Sequence, residues 1–294
     1  MIPTCDQVQR TAYERWLRRG RVHGQDREDW YAAEKELRFR LNYETIVEYP
    51  LVSGQRLVLG DGAVRACRFC ERTSGQARFE VPHPVLPGLL GSRAPRTFAI
   101  CDECQAESRE PLEGDFRRFW SGLQADAGVT PASPEPWRRR RGSLAAYKSL
   151  VAGALLVLPE SELGYVPDAL EWVSHPDPES DAGLFAGAAC RVYSGDGLGG
   201  RSWVSLARRL DDEMPWPYLL YFLGAEGLVV QVHIPLCLRD EDLDGQLLSI
   251  PERVFVAGEG PDFRQSDSKV WPLALSLPVG RSAQRDRAIF VRSH

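Results

Sequence analysis

Cys67-Arg-Phe-Cys70, followed after thirty residues by Cys101-Asp-Glu-Cys104, decides how this chain is read. Two thiol pairs, each with two residues between the partners, supply four thiolates at the spacing of a tetrahedral structural zinc site. In each pair a tight knuckle turn aims both sulfurs at one ion while backbone amides stabilise their charge. Cys67, Cys70, Cys101 and Cys104 are therefore read as the ligands of one Zn2+, in a closed site that holds structure and performs no chemistry. Two unrelated redox pairs, or ordinary buried cysteines, are the alternative. Cys5, Cys190 and Cys237 have no such partners and read as plain residues.

The 294 residues, 43% hydrophobic and 26% charged, are enough for two domains with cores of their own. No apolar run approaches the roughly 18 residues of a membrane span, and residues 1–20 are polar and arginine-rich, without the apolar segment of a signal peptide. Seven cysteines dominated by a metal pattern suit a reducing interior, so the expectation is a cytoplasmic protein with no membrane partner. The net charge of -5 is unevenly spread: residues 55–150 carry 15 basic and 11 acidic side chains, residues 151–294 carry 12 and 21. A phosphate backbone would meet the former and be repelled by the latter. Part of the basic excess is the arginine run at 138–141, which follows a proline-rich stretch and reads as a solvated linker.

Residues 4–42 read as two helices. Tyr13, Trp16 and Leu17 stand at helical spacing, Gly20 ends the first helix, and Asp26 with Asp29 supplies an N-cap and a first-turn acid to the second. The pattern Ala12-Tyr-Glu-Arg-Trp16, Gly20-Arg-Val-His-Gly24, Asp26, Trp30, Ala33-Glu34 and Leu37 resembles a small bacterial domain family of unknown function, with members close to "AYELWE-x-GRP-x-GxD-x-HW-x-AE". The resemblance covers some thirty residues and implies no activity. Partner or nucleic-acid docking is one reading of the hairpin; tryptophans that only hold two helices together is the other.

Around the cysteines, short strands are expected near residues 56–59 and 63–67, with a turn at Gly75 and a return strand before His83. After the second knuckle, residues 102–107 are polar, and Phe116, Phe119, Trp120 and Leu123 stand at helical spacing beyond Pro111. Knuckle, hairpin, loop, and knuckle leading into a helix is the layout of a treble clef. Residues 67–107, "CRFCERTSGQARFEVPHPVLPGLLGSRAPRTFAICDECQAE", resemble the His-Asn-His (HNH) endonucleases of the branch patterned roughly "CxFCG-x-F-x-EH-x-IP-x-LG-x-CxxCN-x-FG".

The resemblance implies that the four cysteines hold zinc and that His83 is the general base, taking a proton from a water that attacks a DNA phosphate beside a second divalent ion such as Mg2+ or Mn2+. Three positions depart from the pattern. Pro82 stands where a carboxylate often precedes the histidine, Gln105 where asparagine follows the last cysteine, and Ser92 where asparagine follows the leucine-glycine. Asp102, Glu103, Glu107 and Glu80 are the carboxylates that could compensate. The structural reading of His83 is a histidine packed or hydrogen-bonded under the hairpin.

Residues 147–158 read as an apolar helix ending at Pro159, after which strands dominate at 189–193, 217–223, 228–234, 253–256 and 288–291. Gly224-Ala-Glu-Gly227 between two of these runs is a hairpin signal. The glycine-rich 194–200 segment lacks the lysine and helix of a phosphate loop and reads as a turn, and Asp240, Glu241, Asp242 and Asp244 read as a solvated acidic turn. His175 and His233 show no catalytic partner.

The expected fold is α+β: a helical hairpin domain (1–54), a treble-clef, ββα-like zinc module (55–130), a Pro/Arg-rich linker (131–143), and an antiparallel sheet with packed helices (144–294). Two functions follow. One is a zinc-binding, HNH-like protein with a degenerate nuclease site, binding DNA through the zinc module or a protein partner through the C-terminal domain. The other is an active metal-dependent endonuclease with His83 as its base.

Overall fold

The computed structural model describes residues 1–51, 57–60, 65–88, 94–126, 140–175, 190–194, 202–210, 215–243, 247–249, 251–254 and 290–292. The chain is mixed α+β. It opens with α1 (Cys5–Arg18) and α2 (Asp26–Asn42). Thr4 and Gln7 close a reciprocal capping box on α1, whereas α2 starts with Asp26 as its first helical residue and Gln25 before it, with no side-chain cap. Asp26 is therefore a first-turn acid and not the N-cap expected of it. The helices meet through a small apolar cluster of Val8, Ala33 and Leu37 and through two buried or half-buried ion pairs, Arg15 with Glu36 and Arg19 with Asp29.

Helix α2 runs directly into β1 (Tyr43–Leu51), which the sequence reading did not separate from the hairpin. β1 pairs antiparallel with β6 (Ser202–Arg209) along its whole length, apart from a bulge between Thr45 and Val47. With β7 (Leu219–Ala225), β8 (Leu228–His233) and β5 (Cys190–Ser194) this makes a five-stranded antiparallel sheet in the order β1-β6-β7-β8-β5. The β7–β8 turn is two residues long, Glu226 and Gly227, both at positive φ (51° and 83°), the turn whose twist matches that of the flanking strands. Residues 253–254 are described and are not a strand, and the last strand expected from the sequence lies at Phe290–Arg292, parallel to Leu247–Ser249.

Between β1 and the rest of the sheet the chain builds a cysteine module. It has a three-stranded sheet of two-residue strands, β2 (Val58–Leu59), β3 (His83–Pro84) and β4 (Arg96–Thr97), with β4 central, β2 parallel to it and β3 antiparallel. An isolated bridge joins Ala66 to Thr73 around the first knuckle, and residues 75–82 are a turn followed by bends and irregular chain where a return strand is expected from the sequence. From the second knuckle, α3 (Asp102–Cys104) continues through a widened π turn (Gln105–Arg109) and a tightened 3-10 turn (Glu110–Leu112) into α4 (Glu113–Asp126). Pro111 does not end the helix, because it sits within the first two positions of the 3-10 turn, where its missing N–H costs nothing.

Helix α5 (Arg140–Val157) joins the two halves. Every residue from Leu144 to Val157 is buried, Gly153 included, as expected of a helix apolar on all sides. It begins at Arg140, inside the stretch read as linker. One apolar core takes in Val85, Leu86, Ile100, Phe116, Phe119 and Trp120 of the module, α5, and one face of the sheet with Val204, Leu206, Tyr221, Leu223 and Val230. At Gly153 a Cβ would stand 2.9 Å from the Val85 carbonyl, so glycine is what lets α5 approach the segment after His83. The sheet's other face carries an aromatic cluster with Phe39, Tyr43, Trp203, Trp216 and Phe222. Among the described residues no helix is long and apolar enough to cross a membrane.

Candidate metal centre

The four cysteines chosen from spacing come together: one ligand atom from each of Cys67, Cys70, Cys101 and Cys104 lies within 4.8 Å of all the others. Among the described residues no other group of three or more His, Cys, Asp or Glu side chains comes so close. The first knuckle is shaped by Cys67 N–H to Arg72 O and Glu71 N–H to Cys67 O, with Glu71 at φ 59°. The second uses the Cys101 sulfur as the cap of α3, accepting from the Cys104 N–H at 3.4 Å. Arg68 N–H to Ala99 O at 2.8 Å ties the two knuckles together.

The site's electrostatics favour a cation. Hydrogen bonding from the Cys104 thiol, followed by backbone amides, pulls the Cys67 thiol far below its ordinary value. Burial pushes Cys101 up, and the hydrogen bond with Cys67 together with burial does the same to Cys104. One thiolate therefore keeps its neighbours protonated until positive charge enters. Some is already there: Arg72 Nε lies 3.2 Å from the Cys70 sulfur.

His83, on β3, is 13% exposed in its side chain, and its Nε2 lies 2.7 Å from Asp102 Oδ1. The other Asp102 oxygen accepts the Glu80 backbone N–H at 3.1 Å. Burial opposes the Asp102 charge, but the Glu80 amide and His83 outweigh it and hold the carboxyl below its usual range. Of the other carboxylates considered, Glu103 pairs with Arg78 and is held down to about 2, first by its own backbone amide and then by that arginine. Glu80 contributes its amide here. Asp102 had been marked by its closeness to the second knuckle; its pairing with His83 needs the fold.

Two arginines that the sequence did not single out frame the histidine. Arg96 donates to the Pro82 carbonyl at 2.7 Å. Arg109, fully buried in the π turn, donates to the Pro84 carbonyl at 2.7 Å, to that of Val85 at 3.1 Å, and to the side chain of Gln105. Burial lowers its pKa to about 10, so it remains cationic at neutral pH. Ser92, the glycine-rich stretch from 195 to 200, and Asp244 lie outside the described residues. Asp240 is not solvated: it is buried, accepts the Tyr218 N–H and pairs with Arg209. His175 offers its carbonyl to Lys148, and His233 is buried beside the Tyr147 hydroxyl.

The family described as a protein of unknown function (DUF2934) matches residues 4–38, the span of α1 and most of α2. No curated protein and no solved structure matches the chain.

Proposed function

We propose that this chain is a zinc-stapled protein built on a treble-clef module of the HNH-endonuclease type, with a degenerate hydrolytic site, serving as a nucleic-acid-binding subunit in a reducing compartment. The observation that carries the reading is the four-cysteine cluster. A tetrahedral Zn2+ with bonds of about 2.3 Å spaces its sulfurs about 3.8 Å apart, and the Cys70 and Cys101 sulfurs stand 3.7 Å apart. The donor set is all thiolate, the choice of zinc over Mg2+ or Ca2+. When bound, the ion would supply a crosslink between the knuckles and no open coordination position.

Loss of the hydrolytic step is supported by the surroundings of His83. Pro82 brings no ligand, the carbonyls on either side of His83 are taken by Arg96 and Arg109, and the fixed guanidinium of Arg109 opposes a second divalent cation. The second reading, an active endonuclease, is favoured by one observation, the short His83–Asp102 bond, which could orient a general base.

Supercoiled plasmid incubated with the zinc-loaded protein and Mg2+, Mn2+ or Ni2+, beside His83→Ala, decides between the two. The expected result is no cleavage by either protein, with one zinc per chain in both. Cleavage that disappears in His83→Ala establishes the endonuclease, and a chain without zinc sinks both readings.

A further inference from the structure

Tyr13, Trp16 and His23 form a tier of neighbouring rings on the outside of the helical hairpin. The Tyr13 and Trp16 centroids are 5.5 Å apart at 33°, and those of Trp16 and His23 are 5.5 Å apart at 51°. The middle ring is half-buried, and its indole N–H is enclosed without an acceptor. The outer two are open: Tyr13 is 57% exposed, and His23 is exposed as well. Helical geometry separates the tier from the core, since Val8, Thr11 and Arg15 are the residues α1 buries, leaving Tyr13 on another side. The turn presenting His23 is fixed by Gly20 and Arg21 at φ 81° and 62°, and by the Arg21 N–H bonding the Trp16 carbonyl at 2.9 Å.

The segment that carries this tier is basic, although Asp26, Glu28 and Asp29 follow it in the first turn of α2. Residues 9–24 contain five arginines and a single acid, Glu14. Arg15 and Arg19 are committed to Glu36 and Asp29 of α2. Arg10, one turn before Tyr13, Arg21, two residues before His23, and Arg18 are exposed and form no ion pair among the described residues. Open ring faces on a segment with exposed guanidinium groups are the two elements by which proteins hold unpaired nucleotides: bases stack on the rings and phosphates meet the cations. A duplex keeps its base faces covered and could use only the arginines.

We propose that this tier is a docking surface for single-stranded nucleic acid, with bases on the outer faces of Tyr13 and His23 and the backbone along Arg10 and Arg21. The surface stands apart from the cysteine module, needing neither metal nor His83.

The test is a fluorescence-anisotropy titration of the full, metal-loaded chain with fluorescein-labelled oligothymidylate and oligouridylate at several salt concentrations, with circular dichroism to check that each variant folds. The expected result is saturable binding that weakens with salt and is stronger for single strand than for duplex. Tyr13→Ala and His23→Ala should each weaken it about tenfold, as loss of one stacked base predicts. Tyr13→Phe, which keeps the ring, should bind like the unaltered protein, and Arg10→Gln with Arg21→Gln should flatten the salt dependence. Three outcomes overturn the proposal: no binding, ring variants that bind as well as the unaltered chain, or equal affinity for duplex. Binding that survives in the ring variants but is lost on metal removal would assign recognition to the cysteine module instead.

Discussion

The cysteine module and the five-stranded sheet share one apolar core, yet they are held in shape by different means. Strands β7 and β8 are buried at every residue and pair continuously, so apolar area and backbone ladders define them. The module's strands are two residues long. What fixes it instead is a set of point attachments: four sulfurs, the His83–Asp102 bond, and arginines reaching backbone carbonyls, Arg68 to Leu155 and Leu158, Arg96 to Pro82, and Arg109 to Pro84. Where regular structure is too short to protect its own backbone, charged side chains take over that task, and a metal in the four-cysteine cluster would add to it.

If the four cysteines hold zinc as proposed, the largest effect should come from taking it away. Closed zinc sites bind with apparent free energies of about 10–16 kcal/mol that is also folding energy. Chelation or Cys101→Ala should therefore abolish hydrogen-exchange protection over residues 65–126 while protection of β6 to β8 persists. Simultaneous loss in both regions would break the contrast and make the shared core a single cooperative unit.

Next in size, Leu206→Ala removes a fully buried side chain from the sheet and should lower unfolding free energy in denaturant by about 2–5 kcal/mol. Metal content should stay unchanged; a fall would mean that the sheet supports the site more directly than the contrast allows.

The sheet should also respond to acid in its own way. Burial lowers the His233 pKa to about 4. The unfolded chain takes up that proton near 6.5, so it binds more protons than the folded state between the two values, and stability falls as pH drops through that window. The limit is on the order of 3 kcal/mol. Denaturation midpoints measured against pH should show this decline, and His233→Gln should flatten it. Metal content followed at each pH separates it from acid release of the ion.

The smallest effect is expected from Arg68→Ala. It removes two charge-assisted bonds from the carbonyls ending α5, about 1–3 kcal/mol in all, while the pair with Glu160, 82% exposed, adds little. Thermal melting should shift with zinc retained. Zinc loss in this variant would show that Arg68 shapes the knuckle itself.

Legibility followed the same division. The four-cysteine cluster was readable because two pairs of like residues at fixed spacing are a local pattern, and the β7–β8 hairpin because Gly224 to Gly227 carries its own turn chemistry. β1 was not, since its opening Tyr43-Glu-Thr-Ile-Val follows a helix without a breaker and the strand goes on through Pro50, so only pairing with β6 reveals it. Likewise Asp102 and His83 are 19 residues apart and Arg109 and Pro84 are 25 apart. No periodicity links such pairs; only the folded chain brings the Arg109 guanidinium to the Pro84 and Val85 carbonyls.

The pairing of β1 with β6 bears on how the molecule is made. Glu44 and Arg208, joined by an ion pair across those strands, are separated by 164 residues. During synthesis the first strand of the sheet leaves the ribosome long before its neighbour exists, with unpaired amides along a nine-residue edge. Closure must wait for most of the chain and then span a long loop, which makes it a late and slow contact. A fragment ending near residue 51 would carry that open edge permanently, so an N-terminal hairpin stopped at Asn42 should remain monomeric where longer fragments self-associate.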